Sequence, residues 1–197
     1  RVQRIAVLRA LALGDLLAAT PALRAIRRAH PQALLALVAL PWTRALVERL
    51  GWIDELLPLP GYPGLPEHPV DESALPAFFA AAQSRRFDLA IQLHGSGSIV
   101  NDIVARFGAR TVAGFHPPGT PNPDPAHFIE WPRTGTEIDR LLALTTHLGM
   151  PAHGKALELP ISIADVTRMR RTLRARGFAG GDYVVVHPGA RLPSRRW

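Results

Sequence analysis

The sequence predicts an α/β fold, a doubly wound parallel sheet of the Rossmann type with helices on both faces. Two observations carry that expectation. Short apolar runs rich in β-branched residues alternate along the chain with helical stretches, the pattern of strands buried on both faces by crossover helices. The 197 residues are 47% hydrophobic and 20% charged, enough apolar material for a substantial core and too little charge for a disordered chain.

The first unit is the clearest. Residues 4–9 (Arg-Ile-Ala-Val-Leu-Arg) form a strand, Gly14 and Asp15 follow, and residues 16–28 form a helix with Leu16, Ala19, Leu23 and Ile26 on one face. Arg24, Arg27 and Arg28 gather at its end, where cations suit the helix dipole, and Pro21 is expected to interrupt and kink it. The unit recurs as strand 33–40, helix 43–50 and strand 53–57, then as strand 87–93, helix 98–107 and strand 111–115. Residues 58–69 and 116–132 hold five and six prolines, a density that excludes regular ladders and predicts two long surface loops, functional or filler. Residues 74–84 and 136–148 read as helices, and a domain boundary is placed near 150. Beyond it come a basic helix at 163–176 capped by Gly177, a strand at 183–187 and a loop. One strand and one loop cannot bury their own faces. Residues 151–197 are therefore read as the linker and start of a second domain that continues past Trp197, or as a segment packed on residues 1–150.

Several classes are excluded. The chain has no cysteine, so it carries neither disulfide scaffold, thiol nucleophile nor thiolate-bound zinc. No apolar run reaches the ~18 residues of a membrane-spanning helix. No leader pattern opens the chain, which is read as cytoplasmic. The formal charge is +7, and Lys155 is the only lysine among 23 basic residues. Arginine enrichment fits a partner bearing phosphates or carboxylates, and equally a genome-wide bias.

Three places hold residues suited to chemistry. Asp15 falls between a strand and a helix, at the sheet edge where ligands bind in open parallel sheets. It reads either as a general base or as an acid capping the first helical turn. His94-Gly95-Ser96-Gly97-Ser98 occupies the corresponding position after a later strand. It reads as an anion cradle with His94 alongside, or as a tight turn with a structural histidine. It departs from the dinucleotide fingerprint at Val100, where a third glycine belongs. The third is the loop from His187 through Gly189, Ala190 and Arg191 to Ser194, Arg195, Arg196 and Trp197, whose amides, hydroxyl and arginines suit a pyrophosphate. No H-E-x-x-H or D-x-D is present, so no metal site is expected.

Taken together these segments resemble the lipopolysaccharide heptosyltransferases, family nine of the glycosyltransferases. Residues 4–24, with Leu13-Gly14-Asp15 and Thr20-Pro21-Ala22-Leu23, resemble the family's N-terminal signature. Residues 87–95 are similar to its fourth strand, and Val186-His-Pro-Gly-Ala190 with Ser194-Arg-Arg-Trp197 to the opening of its C-terminal domain. The resemblance implies a metal-independent, cofactor-free inverting enzyme of the GT-B type. It would have an acceptor-binding domain and a nucleotide-sugar-binding domain facing a cleft, with a heptose moving from ADP-heptose to a lipopolysaccharide core or other glycan. It assigns Asp15 as the catalytic base, Gly14, His94 and Gly95 to the acceptor, and Gly189, Ala190, Ser194 and Arg195 to the nucleotide sugar. Leu11 stands where the family has a serine, and Arg195 where lysine is usual. With most of the donor domain outside the chain, these residues alone are expected to be inactive.

Two other classes remain as alternatives: an anionic-ligand or nucleic-acid binding module, and an NAD(P)-dependent oxidoreductase using Gly95 and Gly97. The arginines are scattered rather than clustered with exposed aromatics, so no nucleic acid is expected. Arg168, Arg170, Arg171, Arg174 and Arg176 give helix 163–176 a basic face, suited to peripheral contact with the inner membrane or simply to water.

Overall fold

The computed structural model describes residues 1–178 and 180–189, and the chain divides into two compact units, Arg1–Pro160 and Ile161–Trp197. In the first unit, β1 (Arg4–Leu8), β2 (Leu34–Ala39), β3 (Glu55–Pro58), β4 (Leu89–Gln92), β5 (Thr111–His116) and β6 (Phe128–Glu130) form one parallel sheet in the order β3-β2-β1-β4-β5-β6. The predicted fold class is the one observed.

The sheet is buried on both faces because alternate side chains meet two separate cores. Ile5 and Val7 of β1 join Leu35, Leu37 and Ile91 in one core. It is closed by α1 (Leu13–Ala29), α2 (Arg44–Leu50) and α5 (Glu137–His147), through Leu16, Leu23, Val47 and Leu141. Ala6 and Leu8 face the other core with Val38 and Ala90, under α3 (Leu75–Ser84) and α4 (Val100–Ala105). There Phe78, Phe79 and Phe107 pack edge-on or tilted, with ring centroids 5.1 to 6.4 Å apart.

Two expectations about the first unit are corrected here. Pro21 does not interrupt α1, which runs unbroken across seventeen residues. Proline removes the amide that would bond the Leu17 carbonyl, and the Thr20 hydroxyl takes that place, donating to Leu17 O at 2.7 Å. The same hydroxyl accepts from the Glu158 amide at 3.0 Å, and Glu158 also accepts from Trp52 Nε1 at 2.9 Å and pairs with Arg24 at 3.4 Å. Arg24 also donates to Ala156 O at 3.0 Å, so residues 156–158 are strapped to α1 and belong with the first unit. The second correction concerns the proline-rich stretch 116–132, which contains β6. Phe128, Ile129 and Glu130 lie between Pro125 and Pro132, so their amides are free to complete the ladder with β5.

The second unit contains α6 (Ile163–Ala175), opened by a reciprocal capping box between Ser162 and Asp165. It ends as expected at Gly177 (φ +84°): the Gly177 and Phe178 amides donate to Arg174 O and Leu173 O at 2.9 and 3.0 Å. The strand expected at 183–187 is not formed. Residues 183–187 are in no ladder, and Tyr183, Val184, Val185 and Val186 are exposed. Apolar β-branched residues become a strand only beside another strand, and the described residues of this unit supply none.

Candidate functional site at the carboxyl edge of the sheet

Chain order along the sheet reverses between β1 and β4, and ligands of open parallel sheets bind outside the strand ends at such a point. The segments leaving these two strands are residues 9–12 and 93–99, so the topology brings the first two predicted clusters to one place.

Asp15 lies within the first turn of α1 rather than before it, at the third helical position. The N-cap is Ala12, and no side chain caps the helix. The side-chain cap is not formed, and the Asp15 carboxylate makes no hydrogen bond or ion pair among the described residues; as an acid in the first turn it complements the helix dipole and faces the Arg9 charge, with its oxygens left as half-exposed acceptors. Gly14 beside it is exposed, and a Cβ there would have no heavy atom within 4 Å.

On the other side of the switch point, the buried Gln92 side chain closes the turn after β4. Its Oε1 accepts from the His94 amide at 2.6 Å and its Nε2 donates to Gly95 O at 3.2 Å. Gly95 adopts φ +68° there, a left-handed conformation that glycine adopts without strain. His94 is 7% exposed, and its Nδ1 accepts from the Ala10 amide at 3.3 Å. That bond places the imidazole proton on Nε2, which makes no hydrogen bond among the described residues and remains a neutral donor.

Burial first, and the nearby Arg9 charge second, lower the His94 pKa from 6.5 to about 4. The unfolded chain takes up this proton before the folded one. The stability that rests on neutral His94 is thus intact above pH 6.5, erodes as the pH falls, and is lost below about 4. The loss between pH 7 and pH 4 is about 3 kcal/mol. Urea denaturation at the two pH values should show it in the wild type and not in His94→Gln; equal slopes in both would remove the assignment.

Gly97 differs from Gly95. A Cβ at Gly97 would stand 2.2 Å from Phe115 O and 2.6 Å from Asn101 Nδ2, so close packing of the α4 entry against β5 accounts for this glycine without a bound dinucleotide.

Sequence reasoning passed over Arg9, Gln92 and Glu137. Arg9, one residue past β1, has no exposed surface, and its guanidinium bonds Asp15 O, Leu93 O and Glu137. An arginine closing an apolar strand was the available signal. The capping box of Thr136 and Asp139, which places Glu137 in the first turn of α5, was the other. Of the residues expected to bind nucleotide sugar, Gly189 is exposed, while Ala190, Ser194 and Arg195 lie outside the described residues.

No protein-family model matches the chain, and no curated protein matches it. Solved structures do. A glycosyl transferase of family 9 from Veillonella parvula aligns with 99% of this chain and 56% of its own, at 18% identity and a TM-score of 0.72. The fold is shared with glycosyltransferases. E. coli heptosyltransferase WaaC with ADP (14% identity, 79% of this chain and 50% of its own) and E. coli ADP-heptose lps heptosyltransferase II (18%, 87% and 50%) both give a TM-score of 0.57. The chain spans about half the length of these structures.

Three further observations bear on the unit. A cavity of about 210 Å³ opens at the opposite, amino edge between Val2, His30, Asp88 and Met150. Asp88 is already engaged there, accepting from the Gln3 and Arg4 amides at 2.8 and 3.1 Å. Among the described residues no three histidine, aspartate or glutamate side chains are grouped as a metal site would require, and no helix is long and apolar enough to cross a membrane.

Proposed function

We propose that the protein is an inverting glycosyltransferase that moves a heptose or related sugar from a nucleotide-diphosphate donor, ADP-heptose first among them, to a lipopolysaccharide core or other glycan hydroxyl. The observation that carries this reading is the Asp15 carboxylate, without a hydrogen bond or ion pair among the described residues, in the first turn of α1 at the switch point of a sheet shared with heptosyltransferases.

The acceptor hydroxyl gives its proton to Asp15 as its oxygen attacks the anomeric carbon. The bond from that carbon to the diphosphate breaks on the opposite face, and the nucleotide diphosphate leaves with the electron pair. Open space at Gly14 lets a sugar approach the carboxylate, and the His94 Nε2–H with the Gly95 turn orients it. The sheet unit is the acceptor half. The chain beyond it opens the donor half, in which Gly189, Ala190, Ser194 and Arg195 hold the diphosphate and balance its growing charge without a metal ion. The exposed arginines of α6 give the enzyme a basic face toward anionic lipid on the cytoplasmic side of the inner membrane.

The test is transfer by the parent protein carrying a complete donor half, offered ADP-heptose beside UDP- and GDP-sugars, with a heptose-free lipid A core as acceptor. Release of ADP coupled to growth of the core supports the reading. Failure to consume any nucleotide sugar, together with tight binding of NAD or NADP, would return the fold to the dehydrogenases.

A further inference from the structure

The site contains a fully buried cation that the chemistry above does not use. Arg9 is held at the end of β1 by its own amide, which donates to Val38 O at 2.9 Å. From there its guanidinium reaches three other elements. Nε donates to Asp15 O at 3.1 Å in the first turn of α1, and Nη1 donates to Leu93 O at the end of β4 and to Glu137 Oε1 at 3.0 Å on α5. Nη2 is buried and has no hydrogen-bond partner.

Burial lowers the Arg9 pKa, and Glu137 opposes that shift by charge and hydrogen bond. The groups facing the guanidinium are Asp15 from α1, Glu137 from α5 and His94 from the turn after β4. Arg140 pairs with the second Glu137 oxygen at 3.5 Å, from one turn further along α5. A buried cation with an unused donor and a partly exposed counter-ion is a poor way to gain stability, since apolar side chains of the same volume do as well or better. What this one does is fix geometry: four elements meet at one planar group whose donors point in set directions.

We propose that Arg9 is the positioning residue of the site, a buried clamp that holds the first turn of α1, and Asp15 with it, against the ends of β1 and β4, with Glu137 as its counter-ion. The role in transfer rests on the reading of Asp15 as the base; the clamp itself does not. A carboxylate displaced by about 1 Å from its reacting hydroxyl costs on the order of 100-fold in rate, so a device fixing this turn has a measurable effect.

Arg9→Met, Arg9→Lys and Glu137→Gln are compared with the wild type in two measurements on the parent protein: steady-state transfer, and amide hydrogen exchange along α1. In Arg9→Met kcat falls by about 100-fold with KM little changed, and amides of residues 16–19 exchange at least about tenfold faster while those of residues 22–26 do not. Arg9→Lys keeps the charge but not the fork, and recovers part of both. Glu137→Gln keeps an acceptor oxygen and moves both in the direction of Arg9→Met by a smaller factor. Should Arg9→Met not fold, the other two variants decide. Wild-type exchange at residues 16–19 overturns the clamp, and loosened exchange with unchanged kcat overturns its role in catalysis. Transfer that survives in Asp15→Asn overturns the base assignment and the role built on it, while exchange still decides the clamp.

Discussion

Asp15→Asn is expected to lower kcat for sugar transfer by about 1,000-fold and to lower the melting temperature by no more than about 4 °C. The two halves of that expectation have one origin. The carboxylate makes no hydrogen bond or ion pair among the described residues, so its loss removes only the weak attraction to the helix dipole and to Arg9. Asparagine has the same shape and cannot take up the proton of an attacking hydroxyl at neutral pH. Rate measurements with saturating donor and acceptor, alongside thermal melting, separate the outcomes. Full activity removes Asp15 from the chemistry, and a collapse of stability would reassign it to the fold.

Gly97→Ala is expected to be the most damaging small substitution near the site, costing at least about 3 kcal/mol. Its φ is +101°, which alanine rarely adopts, and the new methyl would lie 2.2 Å from a backbone oxygen of β5. Backbone cannot rotate aside as a side chain tip can, so α4 or β5 must shift. Gly14→Ala is the matched contrast. Nothing lies within 4 Å of its Cβ and α1 is helical there, so stability should stay level or rise by up to about 1 kcal/mol. Any loss of transfer in Gly14→Ala then reports on ligand approach. Urea midpoints of the two variants check the pair, and equal midpoints would contradict the packing argument.

The sheet was legible in the sequence because its strands have little freedom: residues such as Ile5, Val7, Leu35 and Leu37 belong to short runs that only a doubly covered strand can bury. Asp15, His94 and Gly95 were legible because they follow strands, and the strand order that unites them is a property of such sheets. What could not be read depended on partners distant in sequence. Arg9 looks like a solvated strand end until Glu137, 128 positions away, is placed beside it. The Thr20 hydroxyl gives no hint of its bond to residue 158, and β6 is too short to show a period and exists through its ladder with β5. Residues 183–186 err the other way: their composition is that of a strand, yet among the described residues no neighbour pairs with them.

The Thr20–Pro21 pair constrains the order in which this helix can change over evolutionary time. While proline occupies position 21, the Leu17 carbonyl relies on the hydroxyl at 20, and replacing Thr20 by a residue without one leaves a half-buried acceptor without that partner. If Pro21 is exchanged first, for instance by alanine, the backbone amide returns and position 20 is released from that duty. Its remaining obligation is to the amide of Glu158. Descendants that lose the threonine should therefore already have lost the proline, and the reverse order passes through a weakened intermediate.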